Sequence, residues 1–113
     1  MKAVAYTSNF MYNTVNQPST IEQLSAIEQY ALANSIEILQ VYTDLFRDRI
    51  HDQKPGLLAM MDDADTQKFD TVLVYDSTCV LRDSFEMLYM EIELLNNDVD
   101  LISISSSVPV RSN

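Results

Sequence analysis

Four short apolar runs, separated by stretches long enough for a helix, constrain this chain more than any other feature. The runs are Lys2–Tyr6, Ile36–Thr43, Thr71–Tyr75 and Val99–Ser105, rich in Val, Ile, Leu and Ala and too short for helices. After the first, Ser19-Thr20-Ile21-Glu22 has the form of a capping box, in which hydroxyl and carboxylate each satisfy a backbone N–H at a helix start. Ile21, Leu24, Ile27, Ala31 and Leu32 follow at helical spacing, and Asn34 marks the stop. Pro55-Gly56 opens a second helix through about Ala64, because proline's fixed φ and missing N–H suit a first turn. Leu57, Met60, Met61 and Ala64 are its expected buried face. A third helix is expected from about Asp83 to Asn96. Thr7–Pro18, the charged Asp44–Lys54 and the turn Asp76-Ser77-Thr78 read as loops, and Ser106–Asn113 as a frayed tail. This order predicts a parallel sheet covered on both faces, a three-layer α/β domain over residues 1–105.

Length and charge narrow the function. At 113 residues, with no internal repeat and no linker, the sequence reads as one domain, and 47% apolar content supports a packed core. No run reaches the ~20 apolar residues of a membrane span, and the start lacks a secretory pattern, so a cytoplasmic location is expected. The single cysteine, Cys79, cannot form an internal disulfide, in keeping with a reducing compartment. Net charge is −10, and the basic residues are scattered. Only Arg47 and Arg49 are close together, and Asp48 and Asp52 accompany them. A protein that grips a nucleic-acid backbone must supply cations, so this balance argues against autonomous DNA binding.

The third helix carries two apolar stripes. At ~100° per residue, Phe85, Leu88, Tyr89, Ile92 and Leu95 share one broad face, while Met87, Met90 and Leu94 lie roughly opposite. Glu86 and Glu93 separate the stripes on one flank and Glu91 on the other. A helix lying on a sheet needs one apolar stripe. The Met87/Met90/Leu94 stripe is therefore expected to meet another surface, a partner subunit in the first instance.

Several segments taken together resemble one family. They are Ala3-Val4-Ala5-Tyr6, Ser19-x-x-x-Gln23 with Tyr30-Ala31, Val41-Tyr42-x-Asp44 followed by Lys54-Pro55-Gly56-Leu57, Phe69-Asp70-x-Val72-Leu73-Val74-Tyr75, and Val99-x-Leu101-Ile102-Ser103-Ile104. In order and spacing, over about residues 2–105, they resemble the catalytic domain of serine recombinases, the resolvase/invertase group. The resemblance implies a flavodoxin-like fold with a four-stranded, mainly parallel sheet in the order 2-1-3-4. It implies DNA strand exchange through a phosphoserine intermediate, with arginines steadying the phosphate, an aspartate aiding proton transfer, and no metal or nucleotide cofactor. Such chemistry needs cations because negative charge spreads over the phosphate in the transition state.

On that alignment the catalytic set is incomplete. The family's arginine two residues before the nucleophile falls on Ser8, and the nucleophilic serine falls on Phe10. The arginine before the Pro-Gly-Leu turn falls on Lys54, which keeps the charge and loses the bidentate fork. The Asp-Arg-Leu-Ser-Arg stretch falls on Thr78 to Arg82, so its Asp and first Arg become Thr78 and Cys79, and only Arg82 survives. Phenylalanine has no nucleophilic atom. Ser8 has no base beside it in sequence, and Thr78 and Val80 do not activate Cys79. His51 and the carboxylates Asp62, Asp63 and Asp65 read as solvated groups rather than a metal site. One glycine, Gly56, cannot build a phosphate-cradling loop. The expected function is an inactive resolvase-like domain that works through protein contacts, as a homo-oligomer or with a related recombinase. The alternatives are an active recombinase with a rearranged site and, less favoured, a receiver-like module.

Overall fold

A computed structural model describes residues 1–10, 18–46, 54–76, 79–80 and 84–105. The elements are β1 (Ala3–Phe10), α1 (Thr20–Ala33), β2 (Ile38–Phe46), α2 (Pro55–Asp65), β3 (Thr71–Val74), α3 (Ser84–Asn96) and β4 (Asp100–Ser103). All strand pairs are parallel, and the sheet order is β2-β1-β3-β4. Side chains alternate between the sheet faces. Val4, Tyr6, Tyr42, Val72, Val74 and Leu101 pack with Leu57, Met60 and Ala64 of α2 and with α3. Ala3, Ala5 and Leu73 pack on the other face with Ile27 and Ala31 of α1. This is the three-layer arrangement with helices on both faces.

The local signals act as the residues dictate. Ser19 Oγ accepts from the Glu22 backbone N–H at 3.1 Å and Glu22 Oε1 accepts from the Ser19 N–H at 2.9 Å, so the capping box forms. With one glycine in the chain, the helices end on other residues in the left-handed region: Ser35, Gln67 and Asp98, with φ of 56°, 58° and 58°. Behind each, a backbone N–H turns back to the last turn, as Ile36 N does to Ala31 O at 2.8 Å and Val99 N to Leu94 O at 2.8 Å.

Three expectations are corrected. Strand β1 continues through Thr7, Ser8 and Asn9 to Phe10, and β2 through Asp44 to Phe46, where loops were expected. The two extensions pair in register from Thr7↔Thr43 to Phe10↔Phe46, so polar residues enter the sheet because each finds a partner there. Thr7 and Thr43 hydroxyls, for example, lie 2.9 Å apart. On α1, the buried row is Gln23, Ile27 and Ala31, while Ile21 and Leu32 are exposed.

The largest correction concerns α3. Met87, Met90 and Leu94 are core residues, Leu94 being fully buried, and they pack with Phe69, Val72, Val74, Val99 and Leu101. They cannot also be a contact surface. The broad face faces solvent instead, with Phe85 78% and Tyr89 74% exposed and Leu88, Ile92 and Leu95 about half so. A helical wheel with two opposed apolar stripes is symmetric with respect to inside and outside. Packing on the sheet breaks that symmetry, and just past the helix Asn97 Nδ2 donates to Asp65 Oδ1 of α2 at 2.9 Å. Among the described residues, no helix is long and apolar enough to cross a membrane. Residues 106–113 lie outside the described part.

Candidate functional site

Parallel strands place their C-terminal ends at one edge of the sheet, the usual seat of ligands in open α/β folds. Here that edge holds a cluster of polar side chains already committed to one another. Asp44, buried at the end of β2, accepts the Tyr6 hydroxyl at 2.7 Å, Gly56 N–H at 2.7 Å and Leu57 N–H at 2.9 Å. The last two are free N–H groups of the first turn of α2, whose adjacent capping position, Lys54, gives no side-chain cap. A carboxylate from a neighbouring strand thus caps the helix, where the positive end of its dipole offsets the cost of burying charge. Gly56 is required by this approach, since a Cβ there would meet Thr43 O at 2.8 Å and Asp44 Oδ1 at 3.0 Å. Burial first, and the adjoining Asp44 carboxylate second, push the Tyr6 phenol well above its ordinary range.

Ser8 sits beside this group, paired in register with Asp44 and only 3% exposed. Its hydroxyl donates to the carbonyl oxygen of Cys79, across 71 residues of sequence. The Ser8 backbone is held as firmly, because the fully buried Gln23 side chain bridges it. Gln23 Nε2 donates to Ser8 O at 2.7 Å and to Pro18 O at 2.9 Å, and Gln23 Oε1 accepts from Ser8 N at 3.3 Å. Asn9 Nδ2 also donates to Pro18 O at 2.9 Å. One buried amide therefore ties β1 to the entry of α1.

Of the residues singled out from the sequence, the fold brings together Ser8 and Cys79, and sets Lys54 at the α2 terminus capped by Asp44. Cys79 is buried and in no disulfide, with its N–H donated to Asp76 O at 2.9 Å. Lys54 is partly buried, and its carbonyl accepts Leu58 N–H at 2.9 Å. Phe10 ends β1, its backbone in register with Phe46, and its side chain lies outside the described part. Arg47, Arg49, His51, Thr78 and Arg82 lie outside it as well. Asp63 is engaged by Tyr42 OH at 2.6 Å and Lys68 Nζ at 3.1 Å, and the Tyr42 bond, then Lys68, holds its carboxyl below the usual range. Among the described residues no group of three or more His, Cys, Asp and Glu is placed to hold a metal.

In the sequence, Tyr6, Gln23 and Asp44 stood out only as members of the motifs that carry the family resemblance, with no role assigned to them. The structure also supplies what the sequence did not show beside Ser8: Tyr6 two residues away on the same strand face, and Asp44 across the ladder. The Ser8 hydroxyl donates to the Cys79 carbonyl, and the Asp44 carboxylate accepts one donor at Oδ1 and two at Oδ2.

The parallel 2-1-3-4 sheet, with its polar group at the strand ends, has the strand order of flavodoxin-like α/β domains. The family described as "Resolvase, N terminal domain" matches residues 12–112, and the chain belongs to that family. No curated protein matches the sequence. Among solved structures, the N-terminal catalytic domain of TP901-1 integrase is similar at 27% identity with a TM-score of 0.85, over 99% of this chain and 84% of that one. A resolvase family site-specific recombinase from Streptococcus pneumoniae shares the fold at 20% identity and a TM-score of 0.81, over 100% and 78%. The C-terminal catalytic domain of ISC1926 TnpA, an IS607-like serine recombinase, does so at 20% and 0.77, over 95% and 69%. The family match begins after Ser8 and Phe10.

Proposed function

We propose that this is a serine-recombinase-type domain that has kept the scaffold and given up strand exchange, and that it acts in the cytoplasm through protein contacts. The observation that carries the reading is the state of Ser8. At the position where the family's phosphate-steadying arginine would stand, the chain has a buried hydroxyl spent on the Cys79 carbonyl. Phe10 at the nucleophile's position has no atom that could attack phosphorus, and Lys54 and Cys79 stand where two further arginines would. A net charge of −10 supports the same reading, since phosphate contact requires cations. The contact surface is the apolar face of α3, which the fold leaves in solvent.

The test is a supercoiled-plasmid cleavage reaction quenched with denaturant, which traps covalent protein–DNA adducts. Neither the wild-type chain nor its mixture with a cleavage-incompetent recombinase should yield an adduct on this chain. The competing reading, an active enzyme with a rearranged site, draws on Ser8 lying beside Tyr6 and Asp44. An adduct that forms on the wild type and disappears in Ser8→Ala would establish that reading and overturn ours.

A further inference from the structure

We infer that the exposed face of α3 is a docking site for an amphipathic helix of a different protein whose apolar stripe is flanked by Lys or Arg. The inference rests on the proposal that the domain works through protein contacts, and it names the chemistry of the partner. Phe85, Leu88, Tyr89, Ile92 and Leu95 make one row along α3, all exposed. With two aromatics in it, the row presents on the order of 500 Å2, at the upper end of what a monomer leaves in a single patch. Its repeat, i, i+3, i+4, i+7, is the spacing at which one helix seats on another.

Charge selects the occupant. Every ionisable group on α3 other than Tyr89 is a carboxylate, with exposed Glu86 and Glu93 along one border of the row and half-buried Glu91 beyond the other. A second copy would have to present the same patch, because a two-fold interface is self-complementary. Carboxylates would then face carboxylates, between two chains each carrying −10. Like charges set across an apolar seam are the usual means of rejecting a partner, and opposite ones of selecting it. A helix with Leu-type residues in the seam and Lys or Arg on its borders satisfies both the apolar row and its acidic rim.

The experiment uses the full chain and a fluorescent synthetic peptide of about 18 residues, enough for several helical turns, with Leu at the seam positions and Lys at the flanks. Two controls are the same peptide with Glu at the flanks and a scrambled Lys peptide of equal composition. Anisotropy titration should show binding of the Lys-flanked helix only, weakened at least tenfold by Ile92→Glu. That variant makes the chain more negative, so simple attraction of a basic peptide would be strengthened by it. Glu93→Lys should shift preference toward the Glu-flanked peptide. If Ile92→Glu does not fold, Leu88→Glu reads out the same face. Equal binding of the scrambled peptide, or unchanged binding by the variants, overturns the inference. So does a wild-type dimer in sedimentation that Ile92→Glu dissociates, which would give the face to a second copy. Binding that appears only after removal of residues 106–113 would give it to the chain's own tail and overturn it equally. No DNA enters this assay, so a covalent adduct in the cleavage reaction would refute the inactive-domain reading while leaving the peptide result to stand or fall separately.

Discussion

Replacing Ser8 with alanine separates a structural hydroxyl from a chemical one. In the wild type the hydroxyl is buried and donates to the Cys79 carbonyl, which joins the segment after β3 to the end of β1. Alanine fits the strand and fills nearly the same space, but it leaves a buried carbonyl without that donor. An unsatisfied buried acceptor costs about 1–3 kcal/mol. The methyl group's better transfer into an apolar site offsets some of that, so we expect Ser8→Ala to lower stability by about 1–2 kcal/mol. With a urea slope of about 1–3 kcal/mol/M for a small domain, the unfolding midpoint should fall by roughly 0.5–1 M with the slope unchanged. Far-UV circular dichroism of wild type and variant in parallel urea titrations measures it. A catalytic serine behaves in the opposite way, because active-site groups are commonly held at a cost to stability that their removal relieves. A Ser8→Ala protein as stable as wild type, or more so, would refute the assignment of this hydroxyl to a tether.

Three further outcomes follow from the same contacts. Asp44→Ala removes the acceptor of three buried donors and should cost about 3–5 kcal/mol, whereas Tyr6→Phe should cost about 1 kcal/mol. A double-mutant cycle in urea should return a coupling between them, and additive costs would show that the 2.7 Å contact contributes nothing. Met90→Glu, which puts a carboxylate into the core with Val72 and Leu101, should abolish cooperative unfolding, while Ile92→Glu on the opposite face should leave the stability within about 0.5 kcal/mol of wild type. Tyr42 and Lys68 hold the Asp63 carboxyl below its usual range, so its contribution is complete above the ordinary carboxylate range near pH ~4 and is lost as pH falls through the lower folded value. Midpoints measured from neutral pH down to about 2 should decline less steeply in Asp63→Asn than in wild type, and parallel curves would contradict the Tyr42 contact.

Much of this fold was legible because it is written in local rules. The period of the apolar runs, the Ser19–Glu22 box and Pro55 at a first turn depend on neighbours within one turn of chain, and each appears where its residues place it. The extent of β1 and β2 was not legible, because Thr7, Ser8, Asn9 and Asp44 are polar and look like loop residues until their partners are known. Those partners lie far away in sequence: Gln23 for Ser8, and Gly56 and Leu57 for Asp44. A hydrogen bond made between a strand and a helix distant in sequence leaves no periodic trace.

The sequence by itself determined the order of elements, the parallel architecture, the family, and the absence of a nucleophilic atom at position 10, since each follows from residue identity and short spacing. Only the tertiary structure decided what Ser8 touches and which side of α3 is inside. Two opposed apolar stripes are equivalent on an isolated helix. Packing on the sheet chooses between them, burying Met87, Met90 and Leu94 and leaving Phe85, Leu88, Tyr89, Ile92 and Leu95 exposed.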